Sequence, residues 1–329
     1  MIPLLPTTQP IYSWSQHMSS QNNKNVFDST IQTIGNTPLV MLPNSTDTHR
    51  TAAKLEYMNP GGSIKDRTVL FMIQKAIDRG ELLPGGTLIE ASSGNTGIST
   101  AMIGAILGYK VIITVPEKTS TEKKNTLSAY GAEIVICPNC PEIMAKGSYY
   151  STAKEIKAQT PNSFMLNQYF NQDNMLSHYC LTGPEIWQQT DGQLTHFITG
   201  VGSGGTLTGV SKFLKEQNPK IKTIGVASAA SHPSLGGNSG SSKIEGIVVD
   251  YISPLINHDY IDEFILVEDD DAIASARTLA HKHGILVGLA SGAVYHALSS
   301  KLQISAASSY TVGIFGDSGR AYLSKSFYI

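Results

Sequence analysis

The chain has 329 residues, of which 41% are hydrophobic and 15% are charged, and its formal net charge is −2. This length is sufficient for two domains and a large core. The near-neutral charge gives no electrostatic reason to bind nucleic acid or an anionic membrane surface, so neither is predicted as a partner. No apolar run approaches the roughly 20 residues needed to cross a bilayer.

Residues 1–30 are rich in serine, glutamine, asparagine and threonine, and they lack the basic-then-apolar order of a signal peptide. We therefore predict a flexible N-terminal arm. Three cysteines are too few for a disulfide framework, which favours a cytoplasmic location. Cys137 and Cys140 form a CxxC pair, but only Cys180 is left over. The pair is therefore weak evidence for a zinc or redox site, and no metal site is predicted.

Strand-like apolar runs alternate with helical patterns along most of the chain. In chain order the pattern predicts a strand at 51–57, a helix at 64–79, a strand at 87–90, a helix at 96–107, a strand at 110–115, a helix at 121–130, a strand at 194–199, a helix at 207–217, a strand at 222–227, helices at 269–282 and 293–302, and a strand at 310–315. Such alternation is typical of parallel sheets covered by helices on both faces. We predict an α/β fold with two open parallel-sheet α/β/α domains. A loop at 228–246, rich in serine and glycine, interrupts the pattern.

The segment Gly61-Gly62-Ser63-Ile64-Lys65-Asp66-Arg67 carries the first candidate site residue. Lys65 lies at a predicted helix start, after a predicted strand, and open α/β sheets bind ligands at the carboxyl ends of their strands. Schiff-base chemistry requires a neutral amine, so the pKa of this lysine must fall below its usual value of about 10.4. Asp66 and Arg67 are interpreted as a charge pair at the helix start.

Two further turns also follow predicted strands. Residues 92–97, Ser-Ser-Gly-Asn-Thr-Gly, offer hydroxyl and amide groups to a carboxylate or phosphate, and the Asn95 amide can donate a hydrogen bond to a phenolate oxygen. Residues 202–206, Gly-Ser-Gly-Gly-Thr, precede a predicted helix and form an anion-binding turn. One candidate amine and several anion-binding turns predict a site for pyridoxal phosphate and an amino acid.

The same part of the sequence allows two other interpretations. Gly200 to Gly205 also match GxGxxG, the pattern of dinucleotide-binding turns. That interpretation requires an acidic residue near the end of the next strand, and none is present there. His178 is a possible base, but its position before a predicted helix favours a capping or packing role.

Several separated motifs recur in the order found in the cysteine synthase and cystathionine β-synthase family, which has a tryptophan-synthase-like fold. The resemblance extends over roughly residues 33–327, from Thr-Ile-Gly-Asn-Thr-Pro-Leu at 33–39 to the closing segment, and includes Gln-Tyr-Phe-Asn at 168–171. Within the family, Lys-Leu-Glu-Tyr-Met-Asn-Pro-Gly-Gly at 54–62 and Ile-Glu-Gly-Ile at 244–247 are most similar to bacterial cystathionine β-synthases.

The resemblance implies a role for each matching residue. Lys65 would be the lysine that forms the Schiff base with pyridoxal 5'-phosphate, and Asn95 would bind the ring oxygen of the cofactor. The cofactor phosphate would be bound by Gly202, Ser203, Gly204, Gly205 and Thr206. The substrate carboxylate would be bound by Ser92, Ser93, Gly94, Thr96 and Gln168.

The chain departs from the family pattern at three places. The family serine that faces the pyridine nitrogen is Ala290 here, and Ser291 is one residue further along. Ser203 replaces the usual threonine of the phosphate-binding turn. The Gly-Tyr pair that recognises the acceptor thiol is replaced by Val248 and Val249, which leaves homocysteine as acceptor in question.

By this resemblance we predict a cytoplasmic homodimer that catalyses β-replacement on L-serine or an activated serine by a thiol, as cystathionine β-synthase does. The alternative within the class is a cysteine synthase that uses O-acetylserine and sulfide. An alternative of another class is a relative with weakened cofactor binding that acts by binding a partner protein. Residues 37–58 and 170–329 would form the larger, phosphate-binding domain, and residues 59–169 a smaller mobile domain.

Overall fold

The computed structural model describes residues 26–43, 45–140, 143–230, 242–247, 253–301 and 307–328. Most of the predicted N-terminal arm and the middle of the 228–246 loop lie outside the described residues. Val248 and Val249, where the sequence places the acceptor pocket, lie outside them as well.

The described residues contain ten strands in two sheets. In chain order the strands are β1 (Leu39–Met41), β2 (His49–Leu55), β3 (Thr87–Ala91), β4 (Lys110–Pro116), β5 (Glu133–Cys137), β6 (Ser163–Met165), β7 (His196–Gly200), β8 (Lys222–Ser228), β9 (Glu263–Val267) and β10 (Ser309–Phe315). The larger sheet has the order β1-β2-β10-β7-β8-β9 and the smaller one β5-β4-β3-β6. Strand β1 runs antiparallel to β2, and every other pair is parallel.

Nine α-helices lie in the part of the chain that the structure describes. They are α1 (Lys65–Asp78), α2 (Asn95–Leu107), α3 (Thr121–Ala129), α4 (Tyr149–Gln159), α5 (Gln172–Ser177), α6 (Gly183–Gln189), α7 (Gly205–Gln217), α8 (Asp269–His283) and α9 (Leu289–His296). A π-helical segment, His178–Thr182, joins α5 to α6. None of the helices found in these residues combines the length and the apolar character needed to cross a membrane.

Burial explains why the two sheets are parallel. All residues of β3 and of β10 are buried, as expected for strands that have helices on both faces. One hydrophobic cluster joins the smaller sheet to α1 and α2. Two further clusters cover the larger sheet. The prediction of two parallel α/β/α units therefore agrees with the observed architecture.

The sequence pattern missed several elements. Strands β1 and β6 have three residues each, too few to show a period, and β5 and β9 lie at sheet edges. The helix predicted at 293–302 begins earlier, at Leu289. The sequence placed its start too late because the small residues after Gly288 are also typical of a turn. Ala290 and Ser291 therefore lie in the first turn of α9.

The loop before α1 is fixed against the carboxyl end of β10. Ile64 N donates to Gly316 O at 2.8 Å, and Ser318 N donates to Gly62 O at 3.2 Å. Gly62 has a φ of +84°, a left-handed conformation that glycine adopts without steric cost. These contacts place the first residue of α1, Lys65, at the end of the larger sheet.

Candidate functional site

A pocket lies where the carboxyl ends of β7 and β10 meet the first residues of α1, α2 and α7. Six of the predicted site residues line it: Lys65, Asn95, Gly202, Ser203, Gly204 and Thr206. Three separate parts of the sequence therefore converge on one cavity. Two acidic residues that were not predicted, Glu245 and Asp317, line the same pocket, as do Ala290 and Ser291.

Lys65 is the candidate nucleophile of this pocket. It is half-buried, and burial lowers the pKa of its amine, whereas the negative charge of Asp317 acts in the opposite direction. A lowered pKa increases the fraction of neutral amine, which is the form that attacks a carbonyl carbon.

The glycine turn after β7 suits a phosphate. Gly204 caps α7 with a φ of +85°, and a Cβ at Gly202 would lie 2.4 Å from Gly246 O. A Cβ at Gly205 would lie 2.1 Å from Asn174 Oδ1. Because Gly202, Gly204 and Gly205 leave most of this turn without side chains at the start of a 13-residue helix, its backbone N–H groups can approach an anion. This is the observation that fits pyridoxal phosphate at the site.

His178 lies behind the turn rather than in the pocket. It is fully buried, and its Nε2 atom is 3.1 Å from Thr206 Oγ1 and 3.0 Å from Thr68 Oγ1. Burial, with the positive charges of Lys65 and Arg67, lowers the pKa of His178 well below its usual value. A neutral imidazole here joins α1 to the glycine turn, in agreement with the packing role expected from the sequence.

Asn95 is the first residue of α2, and its amide Nδ2 donates to Asp317 Oδ2 at 2.9 Å. The residues predicted to bind the substrate carboxylate lie beside it. Thr96 Oγ1 donates to Gln168 Oε1 at 2.5 Å, and Gly94 N donates to Ser92 Oγ at 3.2 Å. Ser92, Ser93, Gly94, Thr96 and Gln168 are not among the residues that line the pocket. Their role stays a prediction.

Glu90, near the carboxyl end of β3, accepts hydrogen bonds from the backbone of the segment that contains Gln168. It is 1% exposed and accepts hydrogen bonds from Asn167 N at 2.7 Å and Gln168 N at 3.4 Å. Burial raises the pKa of Glu90 from its usual 4.5 to about 8, although the two N–H donors oppose the shift. The protein therefore keeps a buried neutral carboxyl beneath this segment at neutral pH.

This buried carboxyl predicts a pH-dependent stability. Between about pH 4.5 and 8 the unfolded chain carries Glu90 ionised, while the folded protein keeps it protonated. Stability should therefore fall as the pH rises through this window, by at most about 1.4 kcal/mol per pH unit. We expect Glu90→Gln, which cannot ionise, to lack this contribution. Urea unfolding at pH 5, 6.5 and 8 should show the wild type losing stability relative to the variant.

Glu245→Gln is the matched control for this experiment. Burial would raise the pKa of Glu245, but Lys123 and Lys325 hold it below the usual value, so its contribution to stability changes only below about pH 4.5. The difference in the free energy of unfolding between wild type and Glu245→Gln should stay constant from pH 5 to 8. If the difference in the free energy of unfolding between wild type and Glu90→Gln were constant as well, it would contradict the conclusion that Glu90 is protonated in the folded protein.

The predicted charge pair between Asp66 and Arg67 is wrong. Arg67 instead forms ion pairs with Glu56 and Glu185, and Asp66 accepts hydrogen bonds from Gly61 N and from a serine hydroxyl of α2. Consecutive residues on a helix do not face each other, which explains the separation.

The departure at Ala290 has a visible consequence. Ala290 presents only a methyl group to the pocket, whereas Ser291 is buried and its Oγ accepts a hydrogen bond from Gly316 N at 3.0 Å. That bond ties the start of α9 to the segment after β10. The serine hydroxyl of the family pattern is thus absent at position 290 itself.

Two functional candidates were missed by the sequence interpretation. Asp317 follows directly after Gly316 at the carboxyl end of β10, a position at which an acidic residue could have been singled out. Glu245 carried no such signal, because its importance depends on Lys123 and Lys325, which lie far away in the sequence and form ion pairs with it.

The cysteines contribute nothing to this pocket. Cys137 is buried at the end of β5, Cys140 is partly exposed and Cys180 is exposed, all with free thiols. Within the described ranges, no group of three or more histidine, cysteine, aspartate or glutamate side chains is arranged to hold a metal ion.

Comparisons with known proteins identify the family of this chain. The family model described as "Pyridoxal-phosphate dependent enzyme" matches residues 30–315. The chain is 40% identical over 304 residues to a cysteine synthase of Staphylococcus aureus, covering 92% of this chain and 97% of that protein. It is 42% identical over 268 residues to a cystathionine beta-synthase of Apis mellifera, covering 79% of this chain. The chain spans only about half (53%) of the length of that relative.

A solved structure, the O-acetylserine-dependent cystathionine beta-synthase of Helicobacter pylori, superposes with a TM-score of 0.86 at 36% identity. The superposition covers 92% of this chain and 99% of that one. The predicted fold is confirmed by this match.

Proposed function

Because the chain belongs to the family of pyridoxal-phosphate-dependent enzymes, we propose that it catalyses β-replacement on serine or an activated serine, with Lys65 as the lysine that binds the cofactor. The observation that carries this proposal is the convergence on one pocket of Lys65, Asn95 and four residues of the glycine turn: Gly202, Ser203, Gly204 and Thr206. The family predicted from the sequence motifs is confirmed, and so is the cofactor that defines it.

Each group of residues has a part in the proposed reaction. When bound, pyridoxal phosphate supplies the electron sink that allows an amino acid to lose its α-proton and then its β-substituent. The turn at 202–206 would bind the phosphate, and Asn95 Nδ2 would donate to the ring oxygen. Lys65 Nζ, once released from the cofactor, would take the α-proton of the substrate, because burial favours its neutral form.

The substrate carboxylate would be held by the turn at 92–96 together with Gln168. The hydrogen bond from Thr96 Oγ1 to Gln168 Oε1 joins these two segments, which supports a shared role for them. Asn174 supports this arrangement, because its Nδ2 donates to Gln168 O at 2.7 Å and to Ser203 Oγ at 3.0 Å. Asn174 thereby links the segment proposed to bind the carboxylate to the turn proposed to bind the phosphate.

We propose further that residues 59–169 move relative to the rest of the chain and close over the substrate. Lys123 on α3 pairs with Glu245, which also pairs with Lys325 near the C-terminal end. These three charged residues link α3, which lies in residues 59–169, to the larger domain beside the pocket. Closure would exclude water during the reaction. We also propose a homodimer that acts in the cytoplasm.

Two acceptors fit the proposed reaction. The relative from Helicobacter pylori is named for O-acetylserine as donor and for cystathionine synthesis, which favours an activated serine and a thiol such as homocysteine. The relative from Staphylococcus aureus is named a cysteine synthase, which favours sulfide as the second candidate.

Product analysis of the purified enzyme tests this proposal. L-serine and O-acetylserine are each combined with homocysteine and with sulfide, and cystathionine and cysteine are measured by mass spectrometry. We expect turnover with O-acetylserine and at least one acceptor, and the preferred acceptor distinguishes the two candidate activities. The absence of any β-substituted product from all four combinations, with cofactor present, would overturn the proposal.

A further inference from the structure

Asp317 occupies an unusual position among the residues around the pocket. Its side chain is 6% exposed and lines the same cavity as Lys65 and Asn95. The hydrogen-bond donors to its Oδ2 atom are both neutral: Asn95 Nδ2 at 2.9 Å and Tyr322 Oη at 2.5 Å. Among the described residues, no lysine, arginine or histidine nitrogen lies within 4.0 Å of this carboxylate.

The other acidic residue of the pocket differs in this respect. Glu245 is paired with Lys123 and Lys325, so its charge is neutralised by two cations. The negative charge of Asp317 is therefore the one that acts most directly on Lys65, and it is the charge that favours the ammonium form of that lysine. Burial raises the pKa of Asp317 itself, whereas the hydrogen bonds from Tyr322 and Asn95 act in the opposite direction. In its ionised form the carboxylate exerts its field in a medium of low dielectric, where screening is weak.

The carboxylate is also held rigidly. Gly288 N donates to Asp317 O at 3.1 Å, and Asp317 pairs with Ser63 in an isolated antiparallel bridge, two residues before Lys65. A Cβ at position 288 would lie 2.2 Å from Asp317 Oδ1, so the carboxylate packs directly on the backbone of Gly288. Tyr322, which donates to it, is 4% exposed. The side chain is thus fixed from three sides.

We propose that Asp317 is a positioning residue for the proposed reaction: its carboxylate aims the Asn95 amide into the pocket, and its charge opposes, without cancelling, the loss of the proton from Lys65 Nζ that burial favours. The Asn95 amide has two hydrogens, and the one donated to Asp317 fixes the direction of the other. This role rests on the proposed function, but the Asn95–Asp317 hydrogen bond and the pocket that Asp317 shares with Lys65 belong to the protein alone.

Two substitutions separate the two parts of this role. Asp317→Asn removes the charge but keeps an oxygen that accepts from Asn95. Asp317→Ala removes both the charge and the acceptor. Glu245→Gln removes a carboxylate from the same pocket wall and is the matched control for charge.

The first measurement uses the full chain freed of cofactor. The rate at which an amine-acylating reagent modifies Lys65 is followed against pH by peptide mass spectrometry, with the exposed Lys110 as internal reference. Loss of the neighbouring negative charge destabilises the ammonium form. Asp317→Asn should therefore move the midpoint of Lys65 modification to lower pH, by about one unit. Glu245→Gln should leave it in place.

The second measurement is the affinity for added pyridoxal phosphate. We expect Asp317→Asn to bind the cofactor as the wild type does, and Asp317→Ala to bind it roughly five- to tenfold more weakly, the loss expected for one hydrogen bond. An unmoved midpoint in Asp317→Asn, or an equal shift in Glu245→Gln, would overturn the charge role. Equal cofactor affinity in Asp317→Ala and Asp317→Asn would overturn the orienting role.

A wrong positioning role for Asp317 and a wrong cofactor assignment for Lys65 give different experimental results. If Lys65 does not carry the cofactor, its modification midpoint still responds to Asp317→Asn, because both groups belong to the free protein. If Lys65 carries the cofactor but Asp317 has no positioning role, the cofactor remains on Lys65 and the midpoint stays unchanged.

Discussion

Replacement of Lys65 by alanine is expected to reduce β-replacement activity by about 10³-fold or more. The variant loses the covalent attachment point of the cofactor together with the proton-transfer group, and proton transfer alone contributes on the order of 10²–10⁴-fold. Because Lys65 is the first residue of α1 and lies at the pocket wall, its truncation should leave the fold intact. Turnover and the visible absorption of the purified protein measure the effect.

Lys75→Ala is the control on the same helix. Lys75 lies in the last turn of α1, where its ammonium is 5.4 Å from the centre of the Phe71 ring, and it does not line the pocket. The control should keep nearly full turnover and the wild-type absorption. If Lys65→Ala keeps full turnover, the assignment of Lys65 is wrong; the partner-binding alternative becomes the better hypothesis if the wild type itself shows no turnover.

Substitution of Arg67 by methionine is expected to destabilise the protein by about 3–5 kcal/mol. Arg67 is 3% exposed and donates to both oxygens of Glu56, at 2.7 and 2.9 Å, and to both oxygens of Glu185, at 2.6 and 2.8 Å. Methionine fills much of the volume but leaves buried carboxylates without their cation. Glu185 keeps Lys54 as a partner, so Glu56 bears most of the loss. Urea unfolding at neutral pH measures the difference.

Arg79→Met is the matched control for this second substitution. Arg79 also bridges two acids, Glu81 at 3.1 Å and Asp173 at 2.8 Å, but its side chain is 41% exposed. Exposed ion pairs contribute roughly 0–1 kcal/mol, so the control should change stability little. Similar losses in the two variants would show that burial of the network does not determine its contribution.

The same ion-pair network predicts how the stability of the protein changes at low pH. Burial alone would raise the pKa of Glu185, but Arg67 and Lys54 hold it at about 2, below its usual 4.5. The stabilisation is therefore complete above about pH 4.5 and is lost as the pH falls towards 2. In Arg67→Met this acid-dependent loss should be smaller, because the strongest opposing charge is gone.

The parts of the site that could be predicted from the sequence are those with local signals. Lys65 follows a glycine pair at a strand end, and residues 202–206 precede a helix, so their chemistry is visible within a few residues. Alternation of strand-like and helical patterns likewise predicted the parallel sheets, because parallel strands covered by helices on both faces are rich in apolar residues.

Other features depend on contacts between distant residues. Asn95 and Asp317 are 222 positions apart, and no local pattern indicates that they meet. Adjacency in the sequence was misleading for Asp66 and Arg67, because neighbouring helix positions point in different directions.

The attachment of the cofactor to Lys65 is the central claim, and it can be measured directly. The purified enzyme is incubated with pyridoxal phosphate, reduced with borohydride, digested and mapped by mass spectrometry. We predict that the pyridoxyl group is found on the peptide that contains Lys65, and that Lys65→Ala carries none at a defined position. A pyridoxyl group on another lysine of the wild type, or on no lysine, would contradict the account.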